Sequence, residues 1–314
     1  MRAKSRGFAV VDFLLILMMI LPILFCIVLR VLTKPLSDGV SISGAQIYFT
    51  VPMPIQDLPV TEAQINSAMV LISVFALCLY LTHGLKVKAD TRRQHAAEWT
   101  VEKLTGLVNG SMGDYFIGFA PFIGAIILLS AFSSLLSLFG LFPPTSDVNV
   151  VAGWAILVFF LITYYKLKGG FLGYLKGFTE PVAFLTPINM ISELATPVSM
   201  AFRHYGNVLS GTVIATLVAA GLQGATRLLF GWLPGFLGEI PFLQIGIPAI
   251  LSVYFDVFSG CLQAYIFAML TMMYVAGGFP EEDYLKRKAR KDKKKQNKKD
   301  KLNKQKTNNT MEVM

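Results

Sequence analysis

Six largely apolar runs, each near or above the length that a helix needs to cross a bilayer, dominate this sequence. They cover residues 8–29, 64–85, 114–141, 150–167, 188–233 and 240–279. A stretch of about 18 apolar residues or more is typical of a membrane-spanning helix. The chain of 314 residues is 54% hydrophobic and 15% charged, whereas a soluble domain carries about 25% charged residues. The sequence therefore predicts an all-α protein that crosses the membrane about six times.

The last two runs are longer than a perpendicular crossing requires. Residues 188–233 and 240–279 each exceed the ~20 residues of an ordinary span, so we expect both helices to tilt strongly, bend or lie partly along the membrane. Pro187 and Pro197 are expected to mark bends or helix starts. Residues 95–111 carry apolar side chains at helical spacing, which predicts an amphipathic helix in the membrane interface rather than a further span.

The distribution of Lys and Arg predicts the orientation. Placing the N-terminus in the cytoplasm brings three basic stretches inside, namely 86–93, 166–176 and 286–306. The loops at 141–149 and 231–241 then lie outside and hold no Lys or Arg, as the cytoplasmic preference of these residues requires. Only Arg30 and Lys34 fall on the opposite side. We therefore expect both termini in the cytoplasm.

The net charge of +9 comes mostly from the C-terminal tail and does not indicate a nucleic-acid-binding protein. Residues 281–314 hold 13 Lys or Arg and six Asp or Glu, which leaves the rest of the chain nearly neutral. The tail lacks the apolar residues needed for a core and is expected to be disordered. It either binds anionic lipid headgroups, at about 1 kcal/mol for each basic residue, or serves only to fix the topology.

A permanent cation, Arg203, lies inside the fifth run. A charge near the bilayer centre costs at least about 2.5–3.5 kcal/mol, so the arginine needs a partner or water. Asn207, Ser210 and Gly211 follow at i+4, i+7 and i+8, which makes one helix face small and polar. The last run carries a second polar stripe, formed by Ser252, Asp256, Ser259, Gly260 and Gln263. Two such stripes indicate an aqueous path; the alternative is a buried ion pair inside the helix bundle.

The order of these groups across the membrane indicates two half-paths. Glu193 lies about 15 Å from Arg203 toward the inside along the helix, and Thr212 lies about 13 Å from it toward the outside. If Gln263 faces Arg203 from the antiparallel last run, Asp256 lies about 10 Å further outward. A continuous pore would not need a cation at its centre. Two half-paths would need one, because a positive gate has to separate them.

Three stretches of the chain resemble subunit a of the rotary F-type ATP synthase, the membrane stator subunit of that complex. They are PINMISELATPVSMAFRHYGNVLSG (187–211), LQAYIFAMLTMMYV (262–275) and the supporting FAPFIGAIILLSAFSSLLSLFGLFPPTSDVNV (119–150). The resemblance divides the chain into an extra N-terminal transmembrane helix (1–32), an external loop (33–63), the subunit a membrane domain (64–279) and a Lys-rich cytoplasmic tail (280–314).

The resemblance also implies roles for individual residues. The implied ion-translocation residues are Arg203, Asn207, Gln263, Asp256, Glu193, Thr212 and Ser210. Arg203 matches the family's essential arginine, which faces the ring of c subunits. Thr212 and Asp256 depart from one familiar pattern, in which a glutamate and a histidine occupy the external half-channel. One acidic group is retained, so an external path is still implied, but without histidine relay. We expect His204 to pack or to make a local hydrogen bond.

The resemblance implies translocation of protons, or possibly of sodium ions, through two offset half-channels separated by Arg203, with the last two helices forming a hairpin against the c-ring. The implied partners are the c-ring, the b subunits of the peripheral stalk, the other synthase subunits and the lipid of a bacterial cell membrane. No nucleotide site, cofactor, metal or nucleic acid is expected. A membrane insertase with a groove arginine and a ribosome-binding basic tail is the alternative, which the Arg–Asn–Gly spacing and the glutamine on the last helix oppose. A secondary transporter would show internal repeats.

Overall fold

The computed structural model describes residues 2–33, 44–54, 56–87, 91–179, 182–230, 243, 246–282, 284–285 and 289. These residues are mostly helical, and six helical segments are long and apolar enough to cross a membrane: Val10–Thr33, Glu62–Thr82, Asp114–Phe139, Val148–Lys168, Thr186–Phe230 and Ile250–Gly277. The prediction of about six spans is therefore confirmed. The loop at 231–241, which is predicted to be external, and nearly all of the basic stretch 286–306 lie outside the described residues.

The secondary structure follows the apolar runs closely. The helices are α1 (Arg2–Thr33), α2 (Glu62–Thr82), α3 (Arg92–Met112), α4 (Ala120–Leu135), α5 (Val148–Lys168), α6 (Phe171–Thr179), α7 (Thr186–Phe230), α8 (Ile247–Ser252) and α9 (Gly260–Gly277). Short 3-10 segments cover Asp114–Phe119, Leu136–Phe139, Pro144–Ser146 and Ala183–Leu185, and a π-helical segment, Val253–Ser259, joins α8 to α9. Two strands, β1 (Ile47–Val51) and β2 (Leu58–Thr61), complete the described elements.

The strands depart from the all-α prediction. They form an antiparallel pair within the expected external loop, with Val51 opposite Leu58 and Ile47 opposite Thr61. The prolines of this segment are typical of a loop, but aromatic and β-branched residues such as Tyr48 and Val60 favour a strand. The pair leads directly into α2, because the Glu62 amide donates to the Gln46 carbonyl over 2.8 Å.

Burial raises the pKa of the Tyr48 phenol, and the nearby charge of Glu62 adds to this effect. Because the phenol ionises by losing a proton, a raised pKa means that Tyr48 stays neutral further into the alkaline range.

The expected amphipathic segment is a helix, α3. The Thr91 hydroxyl accepts a hydrogen bond from the Gln94 amide over 3.2 Å and so caps its first turn. Gly113 follows the last turn at a φ of 84°, a left-handed conformation that favours glycine. Val108 is buried, whereas Trp99 is 61% exposed. The helix therefore packs with one face and presents apolar side chains with another.

The chain divides into two compact units. Residues 1–155 and 198–272 form the first unit, and residues 156–197 and 273–314 belong to the second. The first unit has a core of buried side chains from α1, α2 and the segment that follows α4: Cys26, Val70, Val74, Leu136 and Leu141.

Among the described residues, two ion pairs and one histidine contact tie α1 to α2, to the start of α3 and to His83, which directly follows α2. Arg30 donates to the Glu62 carboxylate over 2.6 Å, and Glu62 is almost fully buried. At the other end of α1, Asp12 accepts from Arg93 over 2.8 Å and lies 3.2 Å from His83. The buried Glu62 carboxylate therefore gives Arg30 a charged partner within the protein.

The two longest runs differ in regularity. α7 is continuous over 45 residues, with Pro197 inside it and Pro187 in its first turn. Pro197 therefore does not end the helix, although its missing amide removes one backbone hydrogen bond. The last run is not one regular helix, because the seven-residue π-helical segment interrupts it. Such segments are frequent at functional sites.

Candidate functional site

Arg203 is exposed on α7, while His204, the next residue, is completely buried. Among the described residues of the first unit, no side chain forms a hydrogen bond or ion pair with the guanidinium. The alternative of a buried ion pair inside the helix bundle thus finds no support in this part of the chain. An exposed guanidinium in an apolar run is available to a partner outside this subunit.

The two polar stripes meet one turn beyond Arg203. The amide nitrogen of Asn207 donates to the Ser259 hydroxyl over 2.9 Å, and that hydroxyl donates back to the Asn207 amide oxygen over 3.2 Å. Ser259 ends the π-helical segment. The contact is therefore reciprocal, and it holds α7 and the last span together at a fixed register.

Two glycines allow this close approach. A Cβ at Gly211 would lie 3.1–3.3 Å from Phe255 side-chain atoms, and a Cβ at Gly260 would lie only 2.6 Å from the Cβ of Ser134. The distances at Gly211 are shorter than most van der Waals contacts of a Cβ atom, and the distance at Gly260 leaves no room for a side chain. The π-helical segment is therefore packed between α7 and α4 where both glycines lack side chains.

Asp256 lies in the middle of the π-helical segment and is half-buried. Its carboxylate lies near the side chains of Ser137 and Ser252, and the Ser137 hydroxyl itself donates to the Ser134 carbonyl over 2.6 Å. Thr212 is exposed, and its hydroxyl donates to the Val208 carbonyl over 3.0 Å. Asp256 and Thr212, which the sequence places at one depth, thus make no direct bond to each other.

Ser210 and Gln263 complete the predicted set in this unit. The Ser210 hydroxyl donates to the Asn207 carbonyl over 3.1 Å, within α7, and Ser210 itself is exposed. Gln263 is buried in α9, at 5% exposure. It makes no hydrogen bond with Arg203, so an Arg203–Gln263 pair is not part of this arrangement.

His204 packs, as expected from the sequence. Its Nε2 lies 3.3 Å from the Ser130 hydroxyl. The rings of Trp154 and Phe267 approach it edge-on, at centroid distances of 6.1 and 5.5 Å. The imidazole therefore joins α4, α5, α7 and α9 around a closely packed centre behind Arg203.

Glu193 belongs to the second unit and lines a cavity of about 430 Å³. Lys166 donates to its carboxylate over 2.8 Å, and the Tyr174 hydroxyl lies 3.4 Å away. Burial raises the pKa of Tyr174, and the Glu193 charge raises it further, so the phenol remains a hydrogen-bond donor. The cavity wall also includes three glycines of the α5–α6 segment: Gly169, Gly173 and Gly177.

Sequence reasoning missed the Lys166–Glu193 pair. Lys166 was interpreted only as a topology-fixing charge at the end of the fourth run. The available signal was that Lys166 lies at the end of the run 150–167 and Glu193 near the start of the next run, 188–233, so that both lie near the same predicted membrane face.

Comparisons with known proteins identify relatives over most of the chain. The model of the family described as ATP synthase A chain matches residues 65–276. The chain is 28% identical to "ATP synthase subunit a, sodium ion specific" of Propionigenium modestum, over 78% of this chain and 88% of that protein. It is 34% identical to "ATP synthase subunit a" of Priestia megaterium, over 71% and 94%. The protein of that name from Desulforamulus reducens is 33% identical, over 68% and 75%.

Proposed function

Since this chain belongs to the ATP synthase A chain family, we propose that it carries protons or sodium ions through the membrane sector of a bacterial rotary ATP synthase. The family match over residues 65–276 supports this proposal and does not favour the insertase alternative. In this function the subunit is an ion channel component and is not itself catalytic. The driving force is about 2.3 kcal/mol per elementary charge for each 100 mV of membrane potential.

The central element of the proposal is Arg203 as a gate between two half-channels. The observation that carries it is the exposure of this guanidinium without a partner among the described residues of its unit. A carboxylate on a neighbouring c subunit is the partner that would offset the cost of a cation at this depth. Coulomb attraction to Arg203 favours the ionised form of that carboxylate. A loaded, neutral site therefore cannot pass directly from one half-channel to the other.

The external half-channel follows the contact between α7 and the last span. An ion enters past Asp256 and Thr212, with Gln263, Asn207 and Ser210 along the path. The half-buried position of Asp256 within the π-helical segment of the last span supports this assignment. After rotation of the ring, the ion leaves by the internal half-channel, where Glu193 lines a cavity with Lys166 and Tyr174.

The partners are the c-ring, the b subunits of the peripheral stalk and the remaining synthase subunits. The length of α7 supports a ring-facing hairpin of the last two spans. Its 45 residues extend about 68 Å at about 1.5 Å per residue, roughly twice the hydrocarbon thickness. A helix of this length must tilt strongly or run partly along the bilayer, as a surface that follows several c subunits requires.

The topology proposal keeps both termini in the cytoplasm of a bacterial cell membrane. Residues 1–32 form an additional N-terminal span, residues 33–63 the external loop, residues 64–279 the subunit a domain and residues 280–314 the cytoplasmic tail. α3 lies in the cytoplasmic interface, and the exposure of Trp99 and Val101 on this helix supports that position.

The experiment that tests this function is purification of the complex and its reconstitution into liposomes. The proposal expects the chain to copurify with a ring of small hairpin subunits and to support ATP-driven ion uptake. Uptake that requires added Na⁺ identifies sodium as the coupling ion, and uptake without it identifies protons. Copurification with ribosomes in place of the ring would refute the proposal.

A further inference from the structure

The cavity beside Glu193 also holds the ammonium group of Lys166, and a path for cations does not need such a group. Lys166 donates to Glu193 over 2.8 Å, and the two side chains are 30% and 12% exposed. Tyr174 adds a hydroxyl at 3.4 Å. A cation bound beside the exit carboxylate competes with the transported cation for the same oxygens.

The lysine is held in place by its surroundings. A Cβ at Gly278 would lie 3.1 Å from both Cγ and Cε of Lys166. The stem of the lysine therefore packs against backbone that has no side chain. A polar cavity of about 430 Å³ is far larger than the ~30 Å³ that one water occupies in the liquid, so there is room for an ion and its hydration shell beside the pair.

We infer that Lys166 is a tethered counter-cation, which prevents Glu193 from retaining the transported ion and so keeps release to the cytoplasm fast. This inference rests on the proposed function, in which Glu193 lines the internal half-channel. An unpaired, largely buried carboxylate would bind a passing cation for longer, because low-dielectric surroundings strengthen the attraction. With the Lys166 ammonium in place, the arriving ion must displace it from the Glu193 carboxylate. The ammonium stays nearby and can bind the carboxylate again, which releases the ion.

The effect should depend on the direction of transport. In ATP synthesis the ion leaves through this cavity, so slower release lowers the rate. In ATP-driven uptake into liposomes the ion is loaded here, so tighter binding lowers the half-saturating ion concentration. Among the described residues, the titratable side chains that line this cavity with Glu193 are Lys166 and Tyr174. Tyr274, from α9, lines a second cavity together with Lys166 and Glu193. Of these described side chains, only Lys166 is a cation.

The test uses the reconstituted complex with Lys166→Met. We expect the synthesis rate per assembled complex to fall about tenfold, and the half-saturating ion concentration at the cytoplasmic face to fall by a similar factor, as for loss of one charge-assisted hydrogen bond. Lys166→Arg should keep both values near those of the unaltered complex. Lys168→Met is the matched control, since it removes a cation from the same turn of α5 whose ammonium instead packs on the Tyr165 ring at 4.4 Å.

Glu193→Gln in the Lys166→Met background separates the charge effect from a packing effect. The lower half-saturating concentration should return toward its original value, because no carboxylate is left to retain the ion. An equal loss of rate in ATP synthesis and in ATP-driven uptake by the Lys166→Met complex would overturn the inference. So would a lower half-saturating ion concentration that persists in the double variant. Neither result bears on Arg203, whose proposed role as a gate is tested separately by the Arg203→Ala variant.

Discussion

The reciprocal contact between Asn207 and Ser259 gives the sharpest structural prediction. Each side chain is half-buried, and the two hydrogen bonds measure 2.9 and 3.2 Å. Interhelical side-chain bonds in membrane proteins contribute about 0.6 kcal/mol on average and up to about 1.7 kcal/mol. With two bonds in one pair, we expect a coupling energy of about 1 kcal/mol.

A double-mutant cycle measures this coupling. Asn207→Ala, Ser259→Ala and the double variant are unfolded by denaturant in detergent micelles, and the free energies of unfolding are compared. Each single change should cost about 1 kcal/mol, and the double variant should lose about 1 kcal/mol less than the sum. The second change is cheaper because its bonds are already lost.

Ser210 provides the control for this cycle. Its hydroxyl donates to the backbone carbonyl of Asn207, which remains in Asn207→Ala. The Asn207–Ser210 cycle should therefore show coupling below about 0.5 kcal/mol, the level found for independent sites. A coupling near zero between Asn207 and Ser259, or an equal coupling in both cycles, would refute the claim that this pair fixes the register of the two spans.

Three further predictions concern the ion path and the topology. Asp256→Asn should lower ion flux from outside, measured per assembled complex, while passive leak stays low; unchanged flux would remove Asp256 from the path. Thr212→Glu should recover part of that flux in the Asp256→Asn background if the two share one depth, whereas further loss would show that Asp256 serves assembly only. The cysteine of Lys4→Cys should not react with an impermeant thiol reagent in intact cells, since both termini are expected inside. Rapid modification would show that the N-terminus lies outside.

Much of the fold could be predicted because membrane spans depend on length and apolar composition alone. Arg203 and Asp256 stood out for the same reason, as charges in segments where charge is costly. The strands β1 and β2 could not be predicted as easily, because their prolines are also loop signals. The π-helical segment was missed because no local sequence signal marks it, and its neighbours, such as Gly211 beside Phe255 and Ser134 beside Gly260, are distant in sequence.

The same limit explains the parts of the site that sequence reasoning did not reach. Helical periodicity placed Asn207 and Ser259 on polar stripes, but it could not show that these two residues bond to each other. The resemblance implies that Gln263 faces Arg203, and periodicity could not show that Gln263 is buried while Arg203 is exposed. The partner of Lys166 depends on how α5, α6 and α7 pack, which no single stretch of sequence contains.

ATP-driven ion uptake by the reconstituted complex carrying Arg203→Ala tests the central claim most directly. Arg227→Ala is the matched control, because Arg227 is also exposed and lies on the same helix. The account predicts that Arg203→Ala assembles but loses coupled uptake at least a hundredfold. Arg203→Lys should be nearly as defective, since a desolvated lysine can lose its charge and a guanidinium cannot. Arg227→Ala should retain most of its uptake. Coupled uptake at the native rate in assembled Arg203→Ala complex would contradict the role of Arg203 as the gate between the half-channels.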